Sequence, residues 1–233
     1  LDQFGALAIL MPELMELKGV RQPAPHMDDV WNHSLAAVQK LANILKVLAP
    51  HHDPQEAANW AYGLVSLRLG RFREALHSHL SVRLNPERSL RSLLFLATLY
   101  HDSGKPGSYQ LGENREIHFY GHDQDGARII RKRGAALRLS NAEIDKLATI
   151  VRHHMRPKHL AQDDSAPSRR AIYRFFRDTG EAGVDICLIS LADRLAAYGA
   201  ALPQDKWISH LDTVRALLEA WWEGRNETIT PPP

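Results

Sequence analysis

Residues 90–106, LRSLLFLATLYHDSGKP, constrain the fold more than any other stretch. Leu90, Leu94 and Ala97 recur at helical spacing, and His101 continues their stripe four residues later. A helix that buries this face carries an imidazole into the core, with the Asp102 carboxylate beside it. Such groups are costly to bury unless they are paired, hydrogen-bonded or bound to a metal. Gly104 and Pro106 are expected to stop the helix and leave the pair at its C-terminal end. An isolated His-Asp dipeptide is explained well enough by a mutual hydrogen bond and a capped turn. Here several distant regions offer matching groups, so that explanation is insufficient.

Those regions are helical by their patterning. Residues 3 to 18 carry apolar positions at helical spacing and end at Gly19, Pro23 and Pro25. Asp28 or Asp29 can cap a helix over about 29 to 49, whose Val30, His33, Ala37 and Leu41 share a face. Asp53, Pro54 and Glu56 form a cap, a first-turn proline and a first-turn acid. Asn85, Pro86 and Glu87 are read as opening the central helix in the same way. A further helix is expected over about 71 to 83, and a polar loop over 103 to 120. Gly121 and His122 start a helix to about Arg133. Ser140 and Glu143 form a capping box for one that runs through His153 and His154. A loop over 157 to 167, helices over about 168 to 179, 181 to 199 and 204 to 223, and a frayed tail over 228 to 233 complete the pattern. No alternating strand is evident. The expected class is all-α, a helical bundle, with residues 1–28 as a leading helix and linker, 29–200 as the core and 201–233 as a closing helix and tail.

Composition narrows the function. The 233 residues are 44% hydrophobic and 24% charged, ordinary values for a globular protein. The expectation is a cytoplasmic protein without a membrane partner, because no apolar run reaches the roughly 20 residues of a membrane span. The single Cys187 can form no intrachain disulfide, and one cysteine excludes a cysteine-based zinc site. A net charge of +2 gives no global field for nucleic acid. The chain starts at Leu1 within a helical pattern, as an excised or processed piece would.

The faces on which polar residues fall then select candidates. Asp193 shares a face with Ile186, Ile189 and Ala196, so a metal or a buried basic partner is expected there. His154 follows Leu147, Ile150 and Val151 inward, whereas His153 follows Lys146 and Thr149 toward solvent. His122 lies in the first turn of its helix on the side of Ile129. Singly, each histidine has a core or capping explanation. Together His33, His101, Asp102, His122, His154 and Asp193 make a nitrogen and oxygen ligand set for one or two divalent ions, Mn, Fe, Ni, Zn or Mg.

The order His33, His101-Asp102, Asp193 resembles the HD superfamily of metal-dependent phosphohydrolases. More closely, PELMELKGV, DVWNHSL, HDSGKP, HFYGHDQDGA, IVRHHMRP, RAIYRFFRDTG and LADRLA, in that order, are similar to the C-terminal region of bacterial tRNA nucleotidyltransferases of the poly(A) polymerase family, over roughly residues 7 to 200. The resemblance implies an all-helical HD domain, with metal ligands at His33, His101, Asp102 and Asp193. His122 and His154 match positions that complete a two-metal variant. The nucleotidyltransferase head, with its Gly-rich loop and spaced carboxylates, has no counterpart in the sequence, so this chain alone is not expected to add nucleotides.

Two functional readings follow. In the first, the chain hydrolyses a phosphorylated small molecule or nucleotide, with Asp102 bridging two ions and Lys105 meeting a phosphate oxygen. A solvated loop lysine explains Lys105 equally well. Arg156 and His118 are further candidates for phosphate contact. In the second, the chain holds tRNA through two basic clusters: Arg128, Arg131, Lys132, Arg133 and Arg138, and Arg169, Arg170, Arg174 and Arg177. Solvated helix faces account for the same clusters, and no aromatic residues are interleaved for base stacking.

Overall fold

The computed structural model describes residues 4–161 and 166–224. Its helices are α1 (Ala6–Leu10), α2 (Val30–Val47), α3 (Trp60–Leu69), α4 (Arg73–Ser81), α5 (Leu90–Tyr100), α6 (His122–Ala136), α7 (Asn141–His153), α8 (Arg156–Leu160), α9 (Arg169–Thr179), α10 (Ala182–Tyr198) and α11 (Gln204–Trp222). Two antiparallel ribbons join them: β1 (Arg83–Asn85) with β2 (Arg88–Ser89), and β3 (Gln110–Leu111) with β4 (Ile117–His118). The all-α expectation holds, with these short ribbons as an addition.

Helix α10 is the axis. Its sequence is largely apolar around the whole helix, and every residue from Ala182 to Leu195 is buried, Asp185, Asp193 and Arg194 included. Helices α2, α5, α7, α8, α9 and α11 pack around it. One apolar cluster runs from Leu7 and Leu17 through α5 and α10 to Leu218. Helix α11 belongs to that cluster: Trp207 is fully buried, and its Nε1–H donates to the Ala61 carbonyl at 3.1 Å.

Local chemistry explains where the helices begin and where the sequence pattern misleads. Asp29 caps α2 by accepting from Asn32 N at 2.8 Å, and Ser140 with Glu143 forms the expected box at α7. The helix expected over 3 to 18 is broken at Pro12, which starts a 3₁₀ helix at Pro12–Leu17. Asn85, Pro86 and Glu87 open no helix. The Asn85 side chain accepts from Glu87 N at 3.0 Å, an Asx turn that joins β1 to β2. Pro54–Ala57 is one 3₁₀ turn, and the following helix is capped by Asn59. Part of the loop expected after residue 156 is α8. The tail over 228 to 233 lies outside the described residues.

Candidate metal centre

Helix ends carry most of the candidate ligands. His101 and Asp102 follow the last residue of α5, His154 follows the last residue of α7, and His122 is the first residue of α6. His33 lies in the first turns of α2, and Asp193 lies within α10. All six are buried, none more than 6% exposed. Five elements far apart in sequence therefore bring every candidate to one place.

There they form two triads. One ligand atom each from His33, His101 and Asp193 lie within 4.8 Å of one another, as do those from Asp102, His122 and His154. Asp102 stands between the two. Its Oδ2 is 3.2 Å from His101 Nε2 and 3.5 Å from His33 Nε2, while its Oδ1 is 3.5 Å from His122 Nε2 and 3.7 Å from His154 Nε2. Each carboxylate oxygen thus faces one group of imidazoles.

Three of the imidazoles are oriented alike. Nδ1 of His101, His122 and His154 lies 2.7 Å from the carbonyl three residues earlier, of Thr98, Phe119 and Val151 respectively. A carbonyl can only accept, so each Nδ1 carries a proton and each Nε2 is aimed at the centre. Nε2 of His33, His101 and His122 is buried without an aligned hydrogen bond, although His33 Nε2 comes 3.0 Å from Asp193 Oδ1. A ring-nitrogen lone pair facing a carboxylate oxygen is repulsive unless a proton or a metal lies between them. The C-terminal ends of α5 and α7 add partial negative charge that favours a cation at the same point. The donor set fits a divalent ion.

Electrostatics agree. Burial opposes ionisation of Asp102, but the neighbouring His101 and Lys105 outweigh it and hold the carboxyl well below the usual range. Burial likewise opposes the charge on Asp193, and His33 and Lys158 hold that carboxyl down. Burial pushes His154 to about 3, leaving a neutral ring suited to ligation. Burial also pushes His101 down, yet Asp102 overcomes it and draws the pKa up, so proton and metal compete for that ring.

Lys105 is neither a free loop lysine nor open to solvent. Its ammonium donates to Asp102 Oδ2 and to Gln22 Oε1, each at 2.6 Å, and sits 5.4 Å from the centre of the Phe119 ring. Gly104 has a purpose other than ending the helix. A Cβ there would lie 2.1 Å from the His122 carbonyl oxygen and 2.6 Å from Gly126 N, so glycine permits the start of α6 to pack on the turn over residues 101–105.

The remaining candidates are spread over the surface. Arg156 pairs with Asp178 at 2.8 Å in a groove shared with Asp123, Arg152, His153 and His159. Arg131 pairs with Asp145 at 2.6 Å, and Arg170 is exposed. The guanidinium of Arg133 is engaged by Glu13 through two hydrogen bonds of 2.7 and 2.8 Å, and Tyr100 donates to the same carboxylate. His118 stacks on Tyr120 outside the centre, and His153 is half-buried in the groove. Two nearby residues escaped the sequence reading: Gln22 on Lys105, and His26, whose ring meets that of His33 edge-on at 4.5 Å. Both lie in a proline-rich turn without periodicity.

Comparison with known proteins places this arrangement. The family model of the HD domain matches residues 30–198. The chain belongs to the HD family. The HD domain and its flanks are also 28% identical over 234 aligned positions to the A-adding tRNA nucleotidyltransferase of Deinococcus radiodurans, covering 100% of this chain and 42% of the relative. They are 28% identical over 200 positions to the CC-adding tRNA nucleotidyltransferase of Thermus thermophilus, covering 85% of this chain and 35% of that relative. The chain therefore spans about two fifths of the length of these relatives and is similar to the HD region of a tRNA nucleotidyltransferase.

Proposed function

We propose that this HD domain is a metal-dependent phosphohydrolase acting on a phosphomonoester or phosphodiester, a 2',3'-cyclic nucleotide among the candidates. The observation that carries the reading is Asp102, with one carboxylate oxygen turned to each triad of buried ligands. His33, His101 and Asp193 would hold one ion, His122 and His154 a second, and Asp102 would bridge. A divalent ion at this site supplies Lewis acidity and lowers the pKa of water enough for attack near neutral pH. The chain's own groups do the rest. Asp102 remains ionised at working pH, and the carbonyl-bound Nδ1 atoms keep three rings in the ligating tautomer. Lys105 uses two of its three N–H groups on Asp102 and Gln22, leaving the third for a phosphoryl oxygen. Arg156, paired with Asp178 in a surface groove beside His153, would meet the remainder of the substrate. The buried Cys187 thiol suits a reducing compartment such as the cytoplasm, and no helix among the described residues is long and apolar enough to cross a membrane.

The second reading is a tRNA-holding module. It is favoured by the tRNA-directed activities of the two relatives and by exposed arginines such as Arg170. Elemental analysis and turnover of bis(4-nitrophenyl) phosphate and cyclic nucleotides with Mn, Ni or Mg separate the two. The hydrolase reading expects bound metal and turnover, both lost in Asp102→Ala and Asp193→Ala. Absence of turnover with every metal, together with tRNA binding that falls steeply with salt, would give the function to the binding module.

A further inference from the structure

Three of the four central histidines share one device, and the fourth lacks it. His101, His122 and His154 each donate Nδ1–H to the carbonyl three residues earlier. For His33 the equivalent carbonyl belongs to Val30, and the hydroxyl of Ser34 already donates to it at 2.8 Å. Among the described residues no hydrogen bond joins His33 Nδ1 to a carbonyl or carboxylate, and the ring's Nε2 lies 3.0 Å from Asp193 Oδ1. The ring is met by His101 at 5.3 Å between centroids and, more closely, by His26 edge-on at 4.5 Å with the ring planes 85° apart. We propose that His26 is the positioning residue for His33, replacing by ring packing the hydrogen bond that orients the other three histidines.

The local structure supports such a role. The turn that carries His26 is closed at its base by Val30 N donating to the Val20 carbonyl at 3.0 Å and by Gly19 N donating to Asp29 Oδ2 at 2.7 Å. Within it, His26 N donates to the Pro23 carbonyl at 3.1 Å and the Gln22 amide donates to the Asp28 carbonyl at 3.2 Å. The same turn therefore braces two members of the centre, Lys105 through Gln22 and His33 through His26. His26 Nδ1 is buried and makes no hydrogen bond, so the ring acts through its shape and edge rather than through that nitrogen. The turn precedes residue 30, where the family match begins, so the centre is completed by residues outside the matched core.

The proposal rests on the metal-centre reading, and the test separates the two. Mn²⁺ affinity of the full chain is measured by calorimetry for the parent and for His26→Ala, His26→Phe and Asp102→Ala, with ¹⁵N spectra of the histidine rings in the metal-free state. Loss of an orienting neighbour typically weakens metal binding about 10- to 100-fold. His26→Ala should show that loss together with an altered His33 ring signal. His26→Phe keeps a flat ring edge and should retain parent affinity, which also keeps the test valid if the alanine variant folds poorly. If Asp102→Ala loses metal while His26→Ala binds as the parent does, the positioning role is overturned and the metal centre stands. If a folded His26→Phe binds as weakly as His26→Ala, the nitrogen is needed and positioning by ring packing is wrong. If Asp102→Ala and His26→Ala both bind as the parent does, the metal centre itself is refuted.

Discussion

Replacing Gly104 by alanine puts a methyl group where the backbone of α6 already is. The new Cβ would lie 2.1 Å from the His122 carbonyl oxygen, 2.6 Å from Gly126 N and 2.9 Å from Asp125 Cβ. The two nearest atoms are main-chain atoms of the first helical turn, so no rotamer change relieves the clash. The turn must retreat by roughly an ångström or more to restore ordinary contact. Such overpacking costs about 1–3 kcal/mol, which for a chain of this size lowers Tm by roughly 2–12 °C. The displacement falls on His122, whose Nε2 is 3.5 Å from Asp102 Oδ1. The triad of Asp102, His122 and His154 should therefore lose metal affinity before the triad of His33, His101 and Asp193. Thermal melting followed by circular dichroism, with Mn²⁺ stoichiometry on the same samples, measures both effects. Gly107→Ala is the control, because a Cβ there meets nothing within 4 Å. Parent-like Tm and metal binding in Gly104→Ala would refute the close-packing account of the turn over residues 101–105.

The paired histidines should separate cleanly: His154→Ala should impair metal binding or turnover far more than His153→Ala, since His154 is 2% exposed and faces the centre whereas His153 lines the outer groove. Equal effects would count against the assignment. Arg133→Glu should lower stability, because it sets a second carboxylate against Glu13 and removes both hydrogen bonds; urea unfolding checks this, and Arg131→Glu and Arg170→Glu are the cleaner probes of tRNA binding. Glu143 is held at about 2 by its hydrogen bond to Arg88, with help from Ser140. Its folded pKa lies below its unfolded one, so its contribution to stability is complete above about 4.5 and is lost as pH falls toward 2. Glu143→Gln should flatten the urea midpoint across that window, and an unchanged pH profile would contradict the bonding scheme.

Features of the chain that repeat along a helix are legible in the sequence. The stripe through Leu90, Leu94 and Ala97, a cap at Asp28 or Asp29 and the Ser140–Glu143 box rest on spacings of three and four, and the helices realise them, with Asp29 as the cap. The inward turn of His154 follows from the same spacing. Asn85 misled because one side-chain oxygen serves a helix cap and an Asx turn equally well, and only the pairing of β1 with β2 decides between them. Gly104 carried a stop signal that was genuine in position but different in cause, since contact with α6 depends on the tertiary fold. His26 and Gln22 had no signal at all. Their turn lacks periodicity, and their importance comes from partners at His33 and Lys105.

The ammonium of Lys105, resting on Asp102 Oδ2, has a consequence for the stability of the centre without a metal. Small domains that rely on an ion to fold leave their ligands as mutually repelling charges when the ion departs. Here a tethered cation stays behind. Removal of any bound ion should therefore leave the chain folded, with Lys105 still neutralising Asp102.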